Sequence, residues 1–311
     1  GNLLNGKSDY GTAAGQVACN ISGPRRFKVG SVRDHVLGFR GVNGRGETIK
    51  SGGVVVKNVT GYDLCKLMAG SFGTLAALTK VTMKVLPAPE KIRTVLLFGK
   101  TDSEAIKAMS RAAGSPNEVS ALAHLPNDIA TRSKVSYIRE AGASVTAVRV
   151  EGHGPSVEHR TDSLRQLLGD FGEIEELHSH NSGTFWLEVA NVASLLPNPD
   201  AVIWKISVTP SIGANVLGVV RENGGEGYYD WAGGLIWLAI GNDNDGGAGV
   251  IRSTFGTNEG HATLIRGPAE LRKRVDVFQP ATPNLAALSM RIKDSFDPRG
   301  VLNPGRMNGA Y

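Results

Sequence analysis

Cysteine is nearly absent: the 311 residues contain two, Cys19 and Cys65. Two cysteines cannot build a disulfide scaffold, and such low usage fits a reducing compartment. Each reads as a small core residue rather than a nucleophile. No run of about 18 apolar residues occurs, so no spanning helix is expected. A charged-then-apolar leader is missing from the N-terminus. Aromatic residues make up only 6%, and the net charge of +5 comes from scattered Lys and Arg. Without aromatic interleaving, that charge argues against a nucleic-acid partner. A solvated, slightly basic face explains it, and anionic substrates are compatible with it. No strand–Gly-x-Gly-x-x-Gly–helix unit with a downstream acid is present, which disfavours an NAD enzyme. His178-Ser179-His180 is the only close histidine pair. On a strand both rings would share a face, but a third ligand is not evident and no metal site is expected.

What is present is a hydrophobic content of 41% and 40 glycines. The first supports a sizeable core and about two domains, the second many turns and close backbone approaches. The chain is organised around the stretch from Lys57 and Asn58 to Leu75. Asp63 is positioned to cap a short helix whose apolar face carries Leu64, Leu67 and Met68, and Gly70 can end it in a left-handed conformation. Gly70, Ser71, Gly73 and Thr74 then form a turn whose backbone N–H groups can meet phosphate or carbonyl oxygens. A tight packing turn between helix and strand is the alternative.

Residues 1–10 read as a loop and 11–20 as a helix of small residues. Val36-Leu37-Gly38-Phe39 and Glu47-Thr48-Ile49-Lys50 flank Asn43-Gly44-Arg45-Gly46, a hairpin signal. Val54-Val55-Val56 reads as a short buried strand that delivers Lys57 and Asn58 to the turn. Thr79, Val81, Met83 and Val85 alternate with polar residues as in a half-exposed strand. Pro87-Ala88-Pro89 marks a domain boundary, giving domains 1–89 and 90–279 and a C-terminal segment 280–311. Beyond the boundary, strand–helix–strand patterns at 94–125 and 144–178 predict an antiparallel sheet covered on one face by helices, in a ferredoxin-like arrangement. Further strands are expected at 201–208, 235–240 and 262–266. Residues 241–249 resemble a calcium loop only superficially and read as a flexible loop. In the last segment Leu285, Leu288, Ile292 and Phe296 form a helical stripe, stopped by Asp297-Pro298.

Candidate site residues in the second domain lie in Tyr228-Tyr229-Asp230-Trp231-Ala232-Gly233-Gly234. These either line a pocket, with Tyr229 and Asp230 as candidate catalytic groups, or form an aromatic strand edge against the first domain. His261 is a candidate polar contact to substrate. Arg25 and Arg26 are either an exposed basic pair or a charge partner for a pyrophosphate or another subunit.

Several motifs occur in one register: Gly11-Thr12-Ala13-Ala14-Gly15, Ser22-Gly23-Pro24-Arg25-Arg26, Gly30-Ser31-Val32-Arg33-Asp34, the organising stretch, and Phe296 to Met307. Together they resemble the FAD-binding half of the vanillyl-alcohol-oxidase/PCMH flavoprotein family, and within it the smaller FAD-linked subunits of bacterial glycolate oxidases. The resemblance covers most of residues 11–89 and resumes at the C-terminus. It implies an α+β fold: the second half of a PCMH-type FAD-binding domain, with a ferredoxin-like α/β cap over the flavin and a C-terminal segment returning near the ring. It implies FAD as cofactor and a small 2-hydroxy acid as substrate. The implied partners are a larger FAD-linked glycolate oxidase subunit and an iron–sulfur subunit. The setting would be cytoplasmic, with at most peripheral association at the inner membrane through those partners. Residue by residue, Thr12, Gly15, Asn20, Gly23, Gly70, Ser71, Gly73, Thr74 and Leu75 would contact FAD. Gly61, Tyr62 and Asp63 would shape its enclosure, and Asn303 would approach the ring.

The sequence departs from the family in three places. Ala14 stands where the family has the first of two glycines. The family's first Gly-rich pyrophosphate loop does not occur, and the first residue is Gly1, so a fragment or processed form with weakened FAD binding is expected. The His-rich motif of the larger dehydrogenases is also missing. Three readings follow: an FAD-binding subunit passing electrons to a partner, a catalytically silent scaffold, or a stand-alone alcohol or sugar oxidase.

Overall fold

The computed structural model describes residues 11–56, 61–256 and 259–307. Lys57, Asn58 and the loop expected over residues 1–10 lie outside them. The base begins with α1 (Ala13–Cys19), whose first turn is closed by the Thr12 hydroxyl accepting from the Gly15 N–H at 3.0 Å. Two single-turn helices follow, α2 (Arg26–Val29) and α3 (Val32–His35), the latter held by a reciprocal Ser31–Asp34 capping box. Then come β1 (Val36–Val42), β2 (Thr48–Gly52), α4 (Leu64–Met68) and β3 (Ala77–Met83). The strands form an antiparallel sheet in the order β2-β1-β3. Asp63 caps α4 by accepting from the Lys66 N–H. Val17, Val32, Phe39, Cys65, Met68 and Leu75 make the core beneath.

One expected strand is not there. Val54, Val55 and Val56 are exposed. The ladder ends where the Gly53 N–H donates to the Leu37 carbonyl. Past that bond no described strand lies alongside the valines. Short apolar runs signal a strand only when a neighbour exists to bury them.

The second unit runs in order through β4 (Lys91–Phe98), α5 (Asp102–Ala113), β5 (Ala121–Leu125), α6 (Asn127–Ala130), α7 (Ser136–Arg139), β6 (Val145–Gly152), α8 (Gly154–Leu168) and β7 (Ile174–Leu177). It continues with α9 (Ser179–Asn191), β8 (Val202–Val208), α10 (Pro210–Glu222), β9 (Glu226–Asp230), β10 (Leu235–Ile240), α11 (Ala248–Ser253), β11 (Gly260–Arg266) and α12 (Ala269–Arg274). Its eight strands form one antiparallel sheet in the order β11-β8-β10-β9-β5-β6-β4-β7. Thr101 and Glu104 start α5 with a full capping box.

The expected single covered face is corrected to two. Every residue of β5 and β10 is buried, which requires cover above and below. Ile106, Met109, Val157, Leu164, Val216 and Leu217 from α5, α8 and α10 pack on one face. Phe185, Trp186 and Val189 of α9, with Ile129 and Ile138, pack on part of the other. Neither α9 nor α10 is among the expected elements. The histidine pair is displaced accordingly: His178 is the N-cap of α9 and His180 lies in its first turn, so they do not share a strand face.

Finally α13 (Pro283–Phe296) lies against the base. Its Lys293 ammonium is buried and donates to Asp297 Oδ2 at 2.6 Å, to the Thr74 carbonyl at 2.9 Å and to the Leu302 carbonyl at 3.0 Å. Ile292 and Phe296 join the base core, whereas Leu285 and Leu288 of the expected stripe are exposed. No described helix is long and apolar enough to cross a membrane.

Candidate cofactor cleft and cap site

The turn after α4 is fastened to α1 by two backbone bonds. The Gly70 N–H donates to the Val17 carbonyl at 3.1 Å, and the Phe72 N–H to the Ala18 carbonyl at 2.8 Å. Phe72 and Gly73 both adopt positive φ, 52° and 72°. This brings Gly73 beside Gly15, and the two line one cleft of about 700 Å³ with Ala18, Phe72, Asn303 and Arg306. Asn303 arrives from the C-terminal segment and donates from Nδ2 to the Phe72 carbonyl at 2.7 Å. A Cβ on Gly73 would lie 2.8 Å from that nitrogen, so the close approach needs glycine. Arg306 stacks its guanidinium 5.7 Å from the Phe72 ring and, among the described residues, is the one cation lining the cleft. Burial pushes the nearby Cys19 thiol up, and Arg306 only partly opposes this. Among the described residues nothing accepts from the Gly73 N–H. Small residues, an amide, an open N–H and a guanidinium together suit phosphate or carbonyl oxygens.

In the cap, Trp231 and Ala232 also hold positive φ, 51° and 59°. Conformations this costly persist only where the surroundings fix them. Here Asp230, buried to 1% exposure, accepts from the Trp231 N–H at 2.7 Å, and the Trp231 Nε1–H donates to the Gly23 carbonyl of the base at 3.2 Å. The Arg26 guanidinium lies 4.2 Å and the Lys205 ammonium 5.3 Å from the Trp231 ring. Burial, then the Arg26 charge, lower Lys205 to about 8, while burial raises Asp230 to about 7. His261, on β11, is held below its usual value by desolvation and by Lys205 and Arg26. Tyr229 must be removed from the candidate catalytic groups. Its side chain is fully buried on the α5 face, and its hydroxyl donates to Asp102 Oδ2 at 2.8 Å. Alternation along β9 sends neighbouring residues to opposite faces, so Tyr228 instead donates to the Val189 carbonyl.

No protein-family model matches the sequence. Glycolate oxidase subunit GlcE of Escherichia coli (strain K12) is 33% identical over 299 residues, 95% of this chain and 71% of that protein. The chain belongs to the FAD-linked oxidoreductase family of GlcE. Glycolate oxidase subunit GlcD of Bacillus subtilis (strain 168) is 24% identical over 95% of this chain and 68% of its own. Among solved structures, p-cresol methylhydroxylase with substrate bound superposes with a TM-score of 0.63 at 12% identity, covering 96% of this chain and 70% of that one. Alkyldihydroxyacetonephosphate synthase gives 0.58 at 15% identity, and there the chain spans only 58% of the neighbour's length. These two likenesses establish the fold.

Within the GlcE-family fold the residues expected to contact FAD separate into groups. Gly15, Gly73 and Asn303 meet in one cleft, and Thr12 caps the helix that carries Gly15. Gly61, Tyr62 and Asp63 line a second cleft of about 310 Å³ on the other side of α4, where Tyr62 is 92% exposed. Asn20 spends its carbonyl on the Arg33 N–H, and Gly70 packs beside it. The Ser71 and Thr74 hydroxyls donate to main-chain carbonyls inside the turn, and Leu75 is core, so these three offer only backbone. Gly23 faces the cap. Arg25 and Arg26 both reach the cap: Arg25 Nε donates to Glu151 at 2.8 Å, and Arg26, itself exposed, stacks on Trp231. Arg306 and Lys205 are absent from the expected set. A lone cation carries no periodic signal, and only the fold brings these two to a cleft and to a ring.

Proposed function

We propose that this chain is an FAD-binding subunit of a 2-hydroxy acid oxidase of the glycolate oxidase type, passing electrons to a partner subunit. The observation that carries the reading is the meeting of Gly15, Gly73 and Asn303, from three separate stretches of chain, in one cleft. The donors there fit the cofactor. Arg306 would pair with its pyrophosphate charge, and the Gly73 N–H and Asn303 amide would hold its oxygens. When bound, FAD supplies the hydride acceptor for oxidation of a CH–OH group, while the protein binds, orients and excludes water. The cap is fastened to the base through Trp231 and Arg25, and in this reading it would cover the bound flavin.

The test is an absorbance spectrum of the purified chain after incubation with FAD, then with glycolate, with and without a larger flavoprotein partner. A bound-flavin spectrum that bleaches with glycolate only when the partner is present is the expected result. A chain that binds no FAD yet co-purifies with the partner would favour the scaffold reading. Bleaching by the chain alone would indicate an independent oxidase.

A further inference from the structure

The cleft beside Gly73 has two walls drawn from distant parts of the chain. One is the turn carrying Phe72 and Gly73, fastened to α1, and the other is the C-terminal strap Asn303–Arg306. At the surface the Asn303 amide reaches the Phe72 carbonyl, and Thr74 Oγ1 lies 3.6 Å from the Met307 sulfur. Beneath them sit Lys293 and Asp297, four positions apart at the end of α13 and each only 2% exposed. An ammonium has three donors and no acceptor. Those of Lys293 go to Asp297 Oδ2, to the Thr74 carbonyl behind one wall and to the Leu302 carbonyl behind the other. One buried cation therefore spans both walls with its donors fully used. Asp297 completes the arrangement, accepting from the Val301 N–H at 3.1 Å and from the Leu302 N–H at 2.8 Å. Leu302 is thus held at its N–H and at its carbonyl, immediately before Asn303, whose φ is 42°. A non-glycine residue keeps such a conformation where its surroundings over-determine it, and here the pair does so.

We propose that Lys293 and Asp297 are positioning residues for the cofactor cleft: they set the spacing of turn and strap, and so direct the Gly73 N–H, the Asn303 amide and the Arg306 guanidinium onto one ligand. Burial makes the spacing stiff. If either carbonyl moved away, a donor of a buried ammonium would be left unsatisfied, and no water is at hand to replace the lost acceptor. That the ligand is FAD rests on the function proposed above, whereas the spacing of the walls does not.

The test uses the full chain and two readouts, taken well below the melting midpoint of each variant. Cys19 is half-buried and lines the same cleft, so its rate of alkylation by iodoacetamide reports the opening of the walls. Burial raises this thiol more than Arg306 lowers it, so a strap that moves away should speed the reaction. Cys65, buried in the base core, should stay slow throughout. The second readout is FAD affinity, from quenching of flavin fluorescence. Lys293→Met is expected to speed Cys19 alkylation about fivefold and to weaken FAD binding about tenfold. Lys293→Met with Asp297→Leu separates positioning from stability. It removes the whole buried pair, yet offers nothing to the Thr74 and Leu302 carbonyls, so both readouts should stay impaired even as stability recovers. Phe39→Leu, in the same base core but lining neither cleft, should leave both near parental values. A parental Cys19 rate in the double variant would overturn the proposal, as would faster alkylation with unchanged FAD affinity. The double variant reports even if the single one fails to fold. A parent chain that binds no FAD would refute the function proposed above, and the Cys19 rates would still decide whether the pair holds the walls.

Discussion

Asp230 shows how one buried group can make stability depend on pH. Its folded pKa is about 7 against an ordinary value of 3.8, because burial penalises the carboxylate. Between those values the folded chain holds a proton that the unfolded chain has released, so stability falls as pH rises from about 4 to 7 and is flat above. A shift of this size corresponds to about 4 kcal/mol. Asp230→Asn keeps an acceptor for the Trp231 N–H and removes the charge. Its thermal midpoint should match the parent near pH 4 and exceed it progressively up to pH 7. Equal midpoints at pH 8 would mean that Asp230 is not desolvated as described. Lys205 acts in the opposite sense and higher up. Its pKa is lowered to about 8, so it adds stability as pH rises from about 8 to 10.5. In the cleft, Gly73→Ala places a side chain at φ 72° and 2.8 Å from Asn303 Nδ2. The strain alone costs roughly 1–2 kcal/mol. Weaker flavin retention is expected with the melting curve shifted by only a few degrees.

At the scale of elements, α13 is pinned by a buried ion pair, and the hairpin loop is shaped to receive it. Asn43 Oδ1 accepts from the Arg45 and Glu47 N–H groups, which sets the loop. Gly44 lies against the pair itself: a Cβ there would stand 2.0 Å from Asp297 Oδ1. The Asn-Gly dipeptide marks the hairpin correctly in the sequence, but the glycine serves a contact with Asp297, near the far end of the chain, that local pattern cannot show. The same limit explains the other differences. The Asp63 cap and the β1–β2 hairpin are local and legible. Whether Val54–Val56 has a neighbouring strand, or which face of the cap sheet α9 covers, depends on partners distant in the chain. So does the cleft: Gly15 and Gly73 carry a motif, whereas Arg306 and Lys205 acquire meaning only from what the fold sets beside them. Lys293→Met leaves Asp297 buried without its cation and should destabilise the chain by about 3–5 kcal/mol, measured by urea unfolding. Lys293→Met with Asp297→Leu should recover part of that loss. A single variant as stable as the parent would show that the pair does not hold α13.

For the whole molecule, the question is what keeps the cap registered over the base. Among the described residues, contacts that span the junction include Arg25 with Glu151, Lys28 with Glu118 at 3.1 Å, Arg26 over Trp231, the Trp231 indole N–H to Gly23, and the Phe72 ring against Phe278. They are not equivalent. Glu118 is 65% exposed, so its pair with Lys28 is solvated and contributes little, less still when salt shortens the screening length to about 3 Å at 1 M. Trp231 combines apolar area, a cation on its ring and a hydrogen bond, and none of these is removed by screening. If this ranking is right, Trp231→Ala should speed amide exchange in α2, residues 26–29, by about tenfold relative to the parent, leaving β6 and β10 protected. Lys28→Ala should change exchange there by less than about twofold, and 1 M salt should mimic it. Uniform protection of both units in Trp231→Ala would place the junction's strength elsewhere.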